Sequence, residues 1–360
     1  MSEATVSAGG HEYAIAFDRN VLRRSFVTGL IRDDADGAPA ARGATIVIDE
    51  PLLAAYVSDD RYALVGDPEV VLTDQTIAHP IGFRLVRDGY HPANVSVTVP
   101  IAPSGPVLRD VALRHVPRDI KGQVLGLTAG PNPQFLPVSG AQIDVTGPAG
   151  PGGELPLLLR RPLRRDVGAG ATVRGRVLAP LAAVNAAAPA VSGDDHIVLI
   201  DGSGVAAGQV LRVGPVDNAH WMEVATVAPD PDRAAPATLV WMTEPLAGSV
   251  VPAVPIARFT PGAFTGATAN LVGDAFAGEG ILWVDVLPSG GDVLVLHEPG
   301  QPDRYHDRGA RSGSAGDYAL RGFARMGSAV LTVSAAGFVT QTRTMPATLL
   351  SGAPIDWRLT

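Results

Sequence analysis

Hydrophobic positions along this chain fall in short alternating runs. Val27-Thr28-Gly29-Leu30-Ile31, Gly43–Ile48, Ile120–Val124 and Gly140–Val145 alternate apolar with polar or small residues, the period-2 pattern of strands with one face buried. Ile197–Ile200, Gln209–Val213, Trp221–Val227 and Ala237–Met242 continue it, separated by Asp-Gly, Gly-Pro and Pro-Asp turns. With 41 Gly and 31 Pro in 360 residues, apolar runs are broken well short of the roughly 18 residues that a membrane helix needs. Even the Ala-rich stretch from Leu181 to Val191 is interrupted by Asn185 and Pro189. The pattern predicts an all-β protein of two or three domains with no membrane span.

The runs repeat. Val27–Ile31 followed by Gly43–Ile48 parallels Ile120–Val124 followed by Gly140–Val145. Later, Gly82-Phe83-Arg84-Leu85-Val86 with Gly89-Tyr90 parallels Gly316-Asp317-Tyr318-Ala319-Leu320 with Gly337-Phe338, and each copy ends in a strand that opens on an aspartate, Asp110 or Asp356. The interval from Gly43 to Gly89 is 46 residues and that from Gly140 to Gly337 is 197, so the second copy carries an insertion, as loop tips tolerate. A weaker echo links Leu158–Leu163, with Val173 downstream, to Val240–Leu246, with Val254 downstream: strand, Pro-Leu corner, strand.

This run of Gly-bearing first strand, Gly-Ala second strand, aromatic strand and Gly-Tyr or Gly-Phe resembles the carboxypeptidase-regulatory-like family. The resemblance implies tandem Ig- or transthyretin-like β-sandwiches in an accessory, adhesive or spacer role, with no catalytic residues to carry over. The expected organisation is an N-terminal arm (1–24), a first β-sandwich (25–116), a discontinuous second β-sandwich (117–165 and 267–360), and an inserted β domain (166–266) projecting from it. Within the insert, Ala207-Gly208-Gln209-Val210-Leu211-Arg212-Val213 before Glu223-Val224 and a Pro-Leu corner resembles components of phage tails and contractile injection systems.

Composition narrows the function. A net charge of −8 argues against broad phosphate neutralisation, hence against nucleic acid as partner. No cysteine is present, so disulfides, thiol catalysis and thiolate metal sites drop out. Lys121 is the sole lysine. Met1–Asn20 has no basic segment leading into an apolar one, so synthesis in the cytoplasm without a signal peptide is expected, a history that fits release within a larger particle.

The chemistry-bearing candidates are few. Asp194-Asp195-His196 offers three ligand types, but neighbours on a strand face opposite ways, which favours a polar turn over a metal site. Tyr305-His306-Asp307-Arg308 could supply an acid/base pair or only a solvated loop. Arg160, Arg161, Arg164 and Arg165 form the densest basic cluster, either a contact for an acidic partner or a charged turn. Trp221, Trp241, Trp283 and Trp357 could stack on sugar or pack in cores. The leading expectation is a structural or adhesive component of a multi-protein particle, without enzyme activity, cofactor or metal. Its partners would be other protein subunits, contacted at the four arginines. A carbohydrate-binding module for a cell-surface glycan is the alternative, and a hydrolase centred on His196, His220 or His306 the third.

Overall fold

A computed structural model describes the chain except residues 1, 9–10, 19–20, 35–36, 50–52, 68–77, 101–104, 151, 201–203, 215–218, 234–236, 253, 324–327 and 347–353, with backbone alone for the remainder of 2–22 and for 346. The described residues form strands and no helix, in several sheets. The protein is all-β. It divides into two compact units, one ending at Val116 and one beginning at Pro117.

In the first unit the central strand is Arg24–Asp33. It pairs antiparallel with Arg61–Gly66 and parallel with Val107–Leu108 and Val111–Leu113, while Leu53–Val57 flanks Arg61–Gly66 on the other side. A second sheet joins Thr45–Ile48, His79–Val86 and Ala93–Val99. Alternation puts Phe26, Ile31 and Leu64 of one sheet against Ile81, Phe83 and Leu85 of the other, each at most 2% exposed. Each such side chain contributes about 1.5–3 kcal/mol by leaving water. The segment expected as an N-terminal arm contains a hairpin of Ser2–Ala8 with His11–Asp18, joined by Val21–Leu22.

The second unit repeats this arrangement. Arg118–Leu127 pairs antiparallel with Asp317–Phe323 and parallel with Trp357–Leu359. Gln142–Gly147 pairs with Ser328–Ser334, which pairs in turn with Gln341–Pro346. The correspondence extends to single hydrogen bonds. Tyr62 Oη donates to the Arg109 carbonyl at 2.6 Å, and Tyr318 Oη to the Ile355 carbonyl at 2.6 Å. Asp110 Oδ1 accepts from the Leu30 amide at 2.8 Å, and Asp356 Oδ1 from the Gln123 amide at 2.9 Å. Glycine is required where the tyrosine meets the closing strand: a Cβ on Gly29 would lie 1.9 Å from the Arg109 oxygen, and one on Gly122 the same distance from the Ile355 oxygen.

One alignment suggested by the sequence is corrected. Gly316–Leu320 does not match Gly82–Val86. By pairing and hydrogen bonding, Asp317–Phe323 corresponds to Arg61–Gly66, and the His79–Val86 strand corresponds to Ser328–Ser334. Gly89 and Gly337 do correspond, three residues past those strands, at φ of 81° and 83°.

The segment between Gly147 and Ala310 holds a second duplication. Leu157 pairs with Leu282 and Val240 with Ile197; Val173 faces Leu296 while Ile256 lies in the strand that faces Leu211. Isolated bridges Val167–Ala275 and Ala190–Val250 repeat the relation, as do Ala186–Leu199 and Leu271–Val284. Residues 83 to 85 apart therefore occupy equivalent places. The halves exchange strands: Leu155–Leu158 of the first pairs with Ile281–Val284 of the second, and Thr238–Met242 of the second with His196–Leu199 of the first. Two long strands, Thr172–Asn185 and Pro255–Asn270, run antiparallel through the middle, with Thr172 opposite Asn270 and Asn185 opposite Pro255. Each half has its own apolar core, one around Leu199, Val240 and Leu246, the other around Leu157, Leu163 and Leu282. The pairing sets the limits of this body at about 155 and 306, wider than the expected 166–266. The expected edge at Gly266 falls inside the Pro255–Asn270 strand.

Candidate functional site

The halves of the duplicated body meet at a cleft of about 180 Å³. It is lined by the turn after Leu155–Leu158, the start of the His220–Pro229 strand, the turn after Thr238–Met242, residues 303–307, and Arg321 of the Asp317–Phe323 strand. The two turns are equivalent: Arg161-Pro162-Leu163 matches Glu244-Pro245-Leu246, with Leu163 and Leu246 both buried in their cores. The flanking residues differ. Arg160, Arg164 and Arg165 of the first turn answer to Thr243, Ala247 and Gly248 of the second. Both turns form, so the turn itself does not require arginine.

Arg160 is buried, and its Nη1 donates to Asp307 Oδ2 at 2.8 Å, with both side chains nearly excluded from water. Arg164 reaches across to the sister turn, donating through Nη1 to the Pro245 carbonyl and through Nη2 to the Leu246 carbonyl at 3.3 Å. Arg165 donates to Gln301 Oε1 at 2.8 Å and lies 3.4 Å from Glu244 Oε1. Arg161 is half-buried; burial, Arg321 and Arg164 disfavour its charge, in that order. Three of the four arginines expected at a partner contact thus line the cleft, and Arg165 braces it through Glu244.

His220 and His306 line the same cleft. His220 is 5% exposed and neither ring nitrogen has a hydrogen-bond partner. Burial, reinforced by Arg161 and Arg164, lowers its pKa to about 4. Burial and then Arg304 lower that of His306 to about 4. Tyr305 accepts from Arg176 Nη1 at 2.7 Å; burial raises the Glu223 carboxyl, against the opposing effect of its hydrogen bond with Tyr305. The adjacent His306 and Asp307 do not pair, because Asp307 is held by Arg160.

The other sequence candidates lie elsewhere. His196 Nδ1 is 2.7 Å from Asp195 Oδ1 on an exposed strand end, and Asp194 Oδ2 accepts from the Val191 amide at 2.8 Å. Among the described residues no group of three His, Asp or Glu side chains is placed to hold a metal ion. Trp357 and Trp283 are buried, the former donating to Tyr318 Oη at 3.0 Å, so the four indoles form no common surface. No helix among the described residues is long and apolar enough to cross a membrane.

The sequence singled out the arginines, His220 and Tyr305–Asp307 separately but not their convergence. The signal available for it was the matched Arg161-Pro162-Leu163 and Glu244-Pro245-Leu246 corners. No family model matches the chain, and no curated protein matches it.

Proposed function

We propose that this chain is a non-catalytic structural or adhesive component of a multi-protein assembly, of the phage-tail-like or contractile-injection kind, and that it docks a partner subunit at the arginine-lined cleft. The observation that carries this reading is the state of the cleft's ionisable groups. Asp307 is engaged by Arg160, and Glu244 lies near both Arg165 and Arg304. His220 and His306 are neutral at pH 7. A general acid or base needs a pKa near the working pH and a proton free to move. Apart from Glu223, whose carboxyl burial raises, these groups are ion-paired carboxylates and low-pKa histidines, which suit a fixed, polar recognition surface.

The test is mapping of the contact in the native assembly by crosslinking and mass spectrometry. The reading expects crosslinks from the segments 160–165 and 243–247 to another subunit. Crosslinks confined to other surfaces would contradict it.

A further inference from the structure

The polar atoms left without partners in this cleft share one chemical character. They are nitrogens: both ring nitrogens of His220, Nε1 of Trp221, Nη1 of Arg304 and Nε2 of His306. An indole or guanidinium nitrogen can only donate, and a neutral imidazole always carries one N–H. A buried donor left unpaired costs free energy, so such groups call for an acceptor. Five arginines line the cleft against four carboxylates, and one of those, Glu223, is pushed toward its neutral form by burial. The cavity is therefore short of acceptors and short of negative charge.

The sister turn supplies an internal comparison. It builds the same Pro-Leu corner with Glu244 where the first turn has Arg161, and with Ala247 where it has Arg164. The Pro-Leu corner forms without either arginine, and Arg164 also ties the two turns together through the Pro245 and Leu246 carbonyls. Arg161, Arg164 and His220 line the same cleft, and both guanidinium charges disfavour a proton on the imidazole.

We infer that the cleft binds a carboxylate, supplied by an aspartate or glutamate side chain of the docking subunit, with Arg161 and Arg164 as its cationic partners and His220 as a hydrogen-bond donor. This rests on the docking reading above for the source of the carboxylate but not for its chemistry. Arginine suits the role because its planar fork meets two oxygens at once. The sister residues Glu244 and Ala247 mark the two substitutions that the corner tolerates.

The experiment uses the full chain with three probes, a capped tetraglutamate peptide, free glutarate and inorganic phosphate, followed by calorimetry and by the imidazole nitrogen resonances of His220. The inference expects the peptide to bind and shift the His220 resonances, and the Arg161→Glu, Arg164→Ala double variant to bind at least about 10-fold more weakly, the equivalent of about 1.4 kcal/mol. Arg164→Ala alone, which adds no acidic group, should weaken binding in the same direction. Binding of glutarate as tight as that of the peptide would keep the carboxylate site and overturn the docking reading. Absence of binding by peptide and glutarate at millimolar concentration, binding of phosphate alone, or undiminished affinity in both variants would overturn the inference.

Discussion

Tyr318 donates its hydroxyl hydrogen to the carbonyl oxygen of Ile355 at 2.6 Å, across the place where Gly122 leaves no side chain. Burial raises its pKa to about 12, so it remains a donor throughout the neutral range. The same hydroxyl accepts from Trp357 Nε1, a donor that the first unit lacks because Val111 follows Asp110 there. Tyr62→Phe should cost about 1–2 kcal/mol, the usual range for a buried hydrogen bond whose acceptor is left unpaired. Tyr318→Phe should cost more, since it strands the indole as well. Chemical denaturation of each variant checks the order, and equal losses would speak against it.

Gly29→Ala and Gly122→Ala should each destabilise their own unit by about 2–4 kcal/mol, because the new Cβ collides with backbone that cannot move without opening the parallel pairing. Hydrogen exchange should locate the damage in the mutated unit. Damage spread evenly over both units would show that the clash is not confined to this latch.

Acidification should destabilise the second unit. His220 and His306 bind a proton only near pH 4 when folded, but near 6.5 when unfolded. Between those values the unfolded chain holds more protons, so stability falls as pH drops from 6.5 toward 4, by up to about 1.4 kcal/mol per pH unit for each histidine. Above pH 6.5 this contribution is constant. His220→Gln should flatten the slope in denaturation midpoints measured at pH 7 and pH 5; an unchanged slope would exclude His220 as a source.

The strand exchange predicts how the chain can be cut. Removing residues 168–261 deletes the Thr172–Asn185 strand, cuts Pro255–Asn270 in two, and takes Ala171 and Val173 from one core and all of the other. That product should aggregate. Removing 149–307 and joining Pro148 to Arg308 through a short Gly-Ser linker removes the duplicated body whole. Arg308 lies toward the start of the Gln142–Gly147 strand, its Nε donating to Asp144 Oδ2 at 2.8 Å, so the linker has to span the remainder of that strand. The longer deletion should leave a folded, monodisperse protein by circular dichroism and gel filtration. The reverse outcome would mean that the body is not a separable insertion.

Strand identity was legible because period-2 alternation survives in runs such as Ile143-Asp144-Val145, and the closing aspartates because both stand three residues before a buried leucine that ends its strand. The misalignment of Gly316–Leu320 arose because a glycine beside an aromatic strand is a loose signal. Arg61-Tyr62-Ala63-Leu64 against Asp317-Tyr318-Ala319-Leu320 carries the true match, and its tyrosine hydroxyl is what the fold uses. The limits of the inserted body were not legible for a different reason. Pro255–Asn270 is rich in Gly, Ala and Thr and largely exposed, so it shows no apolar alternation to mark it as one strand. Nor does a sequence reveal that Leu155–Leu158 pairs with residues more than a hundred positions away. The cleft followed from that exchange, which brings Arg161 and His220 beside Arg304 and His306.

The proposed role as part of a particle, exercised through this cleft, is open to direct measurement. Its most direct test is velocity sedimentation of the tagged full chain in native lysate of the source cells, compared with the Arg161→Glu, Arg164→Ala variant. The account predicts that the wild-type chain sediments with a particle far larger than its own 37.1 kDa and that the variant, shown to be folded by circular dichroism, shifts to the free fraction. A wild-type chain that sediments at its own mass, or a variant that stays with the particle, would contradict it.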